Sequence, residues 1–119
     1  MPLTTRYSRG DVVLVPFPFT DLTNTKQRPA VVISPDRLNA TRDDVVLLAI
    51  TSQVPPALLE DEWPLTASEL PGTGLLKLSV IRLGKMVTIH QGLVRRKIGA
   101  LPAPLLAQVL GKLQRLFAA

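Results

Sequence analysis

The sequence predicts a mainly β domain, a small β-barrel with short helices and a C-terminal α-helix, with residues 1–119 forming one unit. Three observations carry this expectation. Short apolar runs rich in Val and Ile recur between Asp11 and Ile98. Proline, glycine and polar clusters separate them, which is the pattern of short strands and turns. From Pro102 onward the apolar residues change to helical spacing.

Residues 11–17 (DVVLVPF) form the first expected strand, and Pro16 and Pro18 place its end at a bend or a sheet edge. Residues 19–27 are a polar loop of turn formers. Residues 30–34 (AVVIS) are a short buried strand, and 35–44 a second loop. Residues 45–51 (VVLLAIT) have no polar side chain before Thr51, which predicts a central strand. Pro55-Pro56 opens an acidic connection through Glu60, Asp61 and Glu62. A short strand is expected at 63–66 and a turn at Pro71, Gly72 and Gly74. Residues 76–83 and 86–89 read as two strands, or one strand bent at Gly84. Residues 94–98 are the last expected strand. In 102–117, Leu105, Leu106, Val109, Leu110, Leu113, Leu116 and Phe117 share one helical face. Pro102 and Pro104 suit a helix start, where a missing N–H costs nothing.

Composition narrows the function. There is no Cys and one His, which excludes disulfides and thiolate zinc sites and leaves few nucleophile–base pairs. Carboxylates do not cluster with that His, so no metal and no cofactor is expected. Charges or prolines interrupt every apolar run before it reaches the ~18 residues of a membrane span. Residues 1–10 lack the apolar core of a signal peptide, so the expectation is a cytoplasmic protein without a membrane partner. The high apolar content fits a subunit interface. Residues 1–69 carry six Lys and Arg against nine acids, a net of −3, whereas 70–119 carry eight and no acid, +8. The acid-free half points to a polyanionic partner, although the same charges would also solubilise exposed strand edges.

If the chain is an enzyme, its chemistry rests on arginine and hydroxyls. Arg28 precedes Pro29, which biases it to extended backbone. Its guanidinium matches the forked oxygens of a phosphate, and the alternative is a surface pair with a carboxylate. Thr51 and Ser52 emerge from the most apolar strand, placed to orient a substrate oxygen or to satisfy a strand-end backbone group. His90 is a candidate base or a structural residue. Arg95-Arg96-Lys97 is a phosphate-contacting run or a solvated edge. Lys26, Arg82 and Lys85 are further candidates for backbone contacts. Aromatic residues are 4% of the chain, so only one of Phe17, Phe19, Tyr7 or Trp63 would stack a base.

Taken together these stretches resemble the MazF/PemK family of toxin endoribonucleases. The likeness runs through Arg9-Gly10-Asp11-Val12-Val13, Arg28-Pro29-Ala30-Val31-Val32, Ile50-Thr51-Ser52, residues 79–89 (SVIRLGKMVTI) and the helix at 102–117. It implies an SH3-like β-barrel, a homodimer, and metal-independent cleavage of single-stranded RNA by 2′-OH attack. By motif position Arg28 and Thr51 match the family's catalytic arginine and threonine. Lys26, Gln27, Ser52, Gln53, Arg82 and Lys85 are the implied RNA-binding set. The resemblance further implies a cognate antitoxin with an acidic C-terminal tail, and DNA binding together with it. Two positions depart: relatives often read R-L-D-K where this chain has Arg82-Leu83-Gly84-Lys85, and often carry an acid where His90 stands. Two other readings stay open, a noncatalytic SH3-like module that binds RNA or protein, and a toxin on the same barrel that acts on gyrase.

Overall fold

The computed structural model describes residues 6–16 and 27–118. Six strands form one antiparallel sheet: β1 (Asp11–Pro16), β2 (Gln27–Val32), β3 (Asp44–Thr51), β4 (Glu62–Pro64), β5 (Val80–His90) and β6 (Arg96–Ala100). Their order is β4-β5-β3-β2-β1-β6. The mainly β class and the central place of β3 are as expected. Closure is not: β4 and β6 are the edges of an open sheet. At β6 a turn takes the place of a closing strand, since the Ala100 N–H donates to the Gly72 carbonyl at 2.9 Å.

The period of two in the strands sorts side chains onto two faces. Val12, Val31 and Leu48 lie in one cross-strand row, and Val13, Ala30 and Ala49 in the next. The first row belongs to a core with Ile50, Ile81 and Leu83, against which α2 (Ala103–Phe117) packs Leu105 and Val109. The second belongs to a core with Val15, Val32, Val45 and Leu47. Because both faces are covered, the central strands read as unbroken apolar runs. Helix α2 keeps the expected face, except that Phe117 stands 70% exposed past its last packed turn.

Several boundaries move. β2 begins at Gln27, so Arg28 and Pro29 are inside the strand. Pro29 is tolerated because pairing with β3 starts one residue later, at Ala30. The expected loop at 35–44 contains a short helix, α1 (Asp36–Thr41). Its six residues carry no helical apolar period; its own buried Asn39 and the distant Gln91 hold it. Buried Asn39 donates to the Ser34 carbonyl at 3.0 Å and accepts from the Ser34 hydroxyl at 2.6 Å. Buried Gln91 donates to the carbonyls of Asn39 and Arg42, each at 2.9 Å, and accepts from the Tyr7 N–H at 3.0 Å. Residues 76–79 are not strand, and the short strands expected at 63–66 and 94–98 form at Glu62–Pro64 and Arg96–Ala100. β5 is one bent strand: Leu48 pairs with Met86 and Ala49 with Arg82, so residues 83–85 bulge with Gly84 at their centre.

Candidate nucleic-acid site

At the end of the sheet where β2 begins and β3 stops, a cavity of about 500 Å³ opens to the surface. β1 gives it Leu14, β2 Arg28 and Pro29, β3 Ala49–Thr51, β5 Arg82 and Lys85, and β6 Ile98. Ser52 and Gln53 continue from β3, and residues 74–79 form the facing wall. The β2–β3 pairing ends at Ala30–Ala49; Arg28 and Thr51 each lie two residues beyond it, and both line the cavity. Arg28 is exposed and Thr51 half-buried.

The Thr51 hydroxyl accepts from the Gln53 N–H at 3.1 Å. The strand-end role expected for it is therefore real, but it uses only a lone pair. The O–H proton can still donate, now from an oxygen fixed by the backbone. Lys85 is half-buried. Burial, and secondly the nearby Arg82 guanidinium, hold its ammonium below the usual lysine pKa. Arg28, Lys77, Arg82 and Lys85 line the cavity, and no carboxylate is among the lining residues described. Four cations converging on one concave site favour an anionic ligand.

Six of the eight residues singled out from the sequence thus meet here: Arg28, Thr51, Ser52, Gln53, Arg82 and Lys85. Gln27 is exposed beside Arg28 but does not line the cavity. Lys26, Phe17, Phe19 and most of the 19–27 loop lie outside the described residues. Lys77 and Ser79 line the site and were not anticipated. The available signal was weak, a lysine in the acid-free half. Ser79 is buried, and its hydroxyl donates to the Lys77 carbonyl at 2.9 Å.

Other candidates have structural employment. His90 ends β5 away from the cavity, and its Nδ1 accepts from the Gly92 N–H at 2.8 Å, capping a 3-10 turn. Lys97 pairs with Asp11 at 3.1 Å, while Arg95 and Arg96 are exposed at the β6 edge. Tyr7 packs on the second core, where burial and Asp11 raise its pKa. The Trp63 ring packs on the first core, with the Lys112 ammonium 5.7 Å from its centroid. Gly84 lacks a side chain, but the space beside it is filled. A Cβ there would stand 2.2 Å from Asp61 Oδ2. Among the described residues no three His, Cys, Asp or Glu side chains gather to hold a metal, and no helix is long and apolar enough to cross a membrane.

The fold has solved counterparts. MazF from Deinococcus radiodurans superposes with a TM-score of 0.72 at 24% identity, covering 94% of this chain and 96% of that one. MazE–MazF from the same organism gives 0.71 at 23% identity, over 96% and 97% of the two chains. A mycobacterial endoribonuclease in complex with its cognate antitoxin gives 0.71 at 16% identity, over 92% of each chain. At these identities the likeness is one of fold. Comparison with curated proteins gives no significant match. The family model described as PemK-like, MazF-like toxin of type II toxin–antitoxin system matches residues 8–117. With that match spanning the sheet, the cavity and the terminal helix, the chain belongs to the PemK-like, MazF-like toxin family of type II toxin–antitoxin systems.

Proposed function

We propose that this protein is a sequence-specific endoribonuclease that cleaves single-stranded RNA in its cation-lined cavity. The observation that carries the reading is the convergence of Arg28 and Thr51, from neighbouring strands, with Arg82 and Lys85. In the reaction the ribose 2′-oxygen attacks the adjacent phosphorus and gives up its proton to water. The P–O2′ bond forms, the P–O5′ bond breaks, and the 5′-oxygen takes a proton. The products are a 2′,3′-cyclic phosphate and a 5′-OH. Negative charge grows on the non-bridging oxygens meanwhile. Arg28 supplies fixed donors to that charge, an effect of about 10²–10³ in rate for one donor. A guanidinium offers donors and no acceptor, so the role is electrostatic. The Thr51 hydroxyl, fixed by Gln53, donates to the same phosphate and orients it. Ser52 and Gln53 contact the bound strand, and Arg82 and Lys85 its flanking phosphates.

The side chains that line the cavity are guanidinium, ammonium, hydroxyl, amide and aliphatic groups, not metal ligands. That donor set, read among the described residues, supports a metal-independent reaction. The working unit is proposed to be a homodimer. The same cations would accept the acidic tail of a cognate antitoxin, which would then exclude RNA. The test is cleavage of a mixed single-stranded RNA in EDTA, wild type beside Arg28→Ala, with product ends mapped. Discrete cuts with cyclic-phosphate ends in wild type, lost in the variant, are expected. A folded wild type that binds RNA without cutting it would leave a binding module; toxicity without RNA cleavage would favour a gyrase-type target.

A further inference from the structure

The wall of the cavity formed by residues 74–79 is built more firmly than its composition suggests. At one end, Gly74 has φ +78°, and a Cβ there would stand 2.2 Å from the Ile98 carbonyl oxygen. Buried Thr73 donates to the Leu70 carbonyl at 2.6 Å and accepts from the Leu75 N–H at 3.1 Å. At the other end, buried Ser79 holds the Lys77 carbonyl, and its own carbonyl accepts from the Leu65 N–H at 2.9 Å. Between these two anchors Leu76 stands 97% exposed while lining the cavity. Lys77 follows it and is also exposed.

A leucine in that state contributes nothing to the core. It keeps its apolar surface in water beside a concentration of positive charge, on backbone pinned from both sides. Such a side chain is set up for a ligand with an apolar face and a negative charge next to it. A nucleotide of single-stranded RNA has both. We infer that Leu76 and Lys77 form a nucleotide subsite, Leu76 packing on the face of an unpaired base and Lys77 contacting its phosphate. This rests on the reading of the cavity as an RNA site and names residues of that site which the sequence did not indicate.

The test separates binding from cleavage. The probes are 2′-O-methyl homopolymers of the four bases, which lack the attacking hydroxyl, and an abasic strand of equal length. Leu76→Ala should weaken the best-bound homopolymer about five- to ten-fold, the effect of uncovering about half a leucine side chain. It should leave the abasic strand and the salt slope unchanged. Lys77→Gln should lower the slope of log K against log salt by about 0.7, one phosphate of a single strand, for every probe. Equal affinity of Leu76→Ala and wild type for all four homopolymers overturns the subsite. So does an equal loss on the abasic strand. Cleavage of unmodified RNA by wild type is scored separately. Binding with the expected Leu76 effect but no cleavage overturns the nuclease reading and keeps the subsite; cleavage with no Leu76 effect does the reverse. A wild type that binds none of the probes overturns both.

Discussion

Restoring the carboxylate at position 84 is the substitution that the R-L-D-K pattern invites, and the structure predicts that it is costly. A Cβ on Gly84 would stand 2.2 Å from Asp61 Oδ2 and 3.3 Å from its Cγ. Oδ2 is the end of a flexible, half-buried side chain, so Gly84→Ala needs only a rotation of Asp61. Such a rotation costs about 0.5–1.5 kcal/mol. Gly84→Asp adds a second carboxylate about 5 Å from the first. At an effective dielectric of 20 the repulsion is about 3 kcal/mol, falling to about 1 where solvent screens it. The expected total is a loss of roughly 2–4 kcal/mol, or about 8–16 °C in Tm at this chain length. Asp61→Ala on its own should cost little, and adding it to Gly84→Asp should recover most of the loss. The assay is urea unfolding of the four proteins at one concentration, since any self-association shifts the midpoint. Gly84→Asp with wild-type stability while Asp61 is present would refute the reasoning. So would a double variant no better than Gly84→Asp alone.

Four further outcomes follow from the site and its supports. Arg28→Ala should lower RNA cleavage by about 10²–10³, with urea unfolding checking that the variant is folded. Thr51→Ser should keep most cleavage and Thr51→Val should lose it, measured by single-turnover rates, since only serine keeps a hydroxyl for Gln53 to hold. Gln91→Leu should destabilise the fold by about 2–4 kcal/mol in urea, because it removes three hydrogen bonds from buried or half-buried groups, including two carbonyls at the end of α1. Lys85→Gln should weaken RNA binding and remove a gain in stability toward alkaline pH. The Lys85 pKa is lowered in the fold, so the unfolded chain binds more protons as pH approaches 10.5, and wild-type stability gains there from this group. Denaturation at neutral and alkaline pH reads the difference.

Much of this architecture was legible because the physics was local. Val45–Ile50 has no polar residue, and only a strand covered on both faces tolerates that. Pro102, Pro104 and the spacing of Leu105 and Val109 fixed the start and inner face of α2. What could not be read depends on long-range partners. Helix α1 exists through Asn39 and Gln91, and the latter reaches it from 52 residues away. The open sheet depends on the Gly72–Gly74 turn lying against Ile98–Ala100, where Gly99 and Gly74 allow backbones to approach. At the site, Arg28 and Thr51 stood out because a hydroxyl and a guanidinium at strand ends are conspicuous among apolar neighbours. Leu76 and Lys77 did not, because an exposed leucine before a lysine reads as ordinary surface until its neighbours are seen to be pinned. The space beside Gly84 was missed for the same reason. Asp61 stands just before β4 and Gly84 in β5, and no pattern in the sequence connects the two.

The charge asymmetry of the chain becomes a property of the site through what the acids do. Asp11 accepts from the Ser8 N–H and pairs with Lys97. Asp36 accepts from the Arg9 N–H. Glu62 accepts from the Leu59 N–H, and Glu69 closes a capping box with Thr66. Asp43 pairs with Arg6, and Asp61 fills the space at Gly84. Each of these carboxylates is committed to a turn, a cap or a distant cation, and none lines the cavity. Arg28 comes from the acidic half of the sequence and Lys77, Arg82 and Lys85 from the acid-free half, so among the described residues folding brings cations to the cavity and places the named acids elsewhere. A surface merely solubilised by lysine and arginine would show no such sorting, because charges of both signs would serve equally well there. A concave site that collects one sign and an exposed leucine, at the end of a rigid sheet, is organised around a ligand that brings the opposite charge and an apolar face with it.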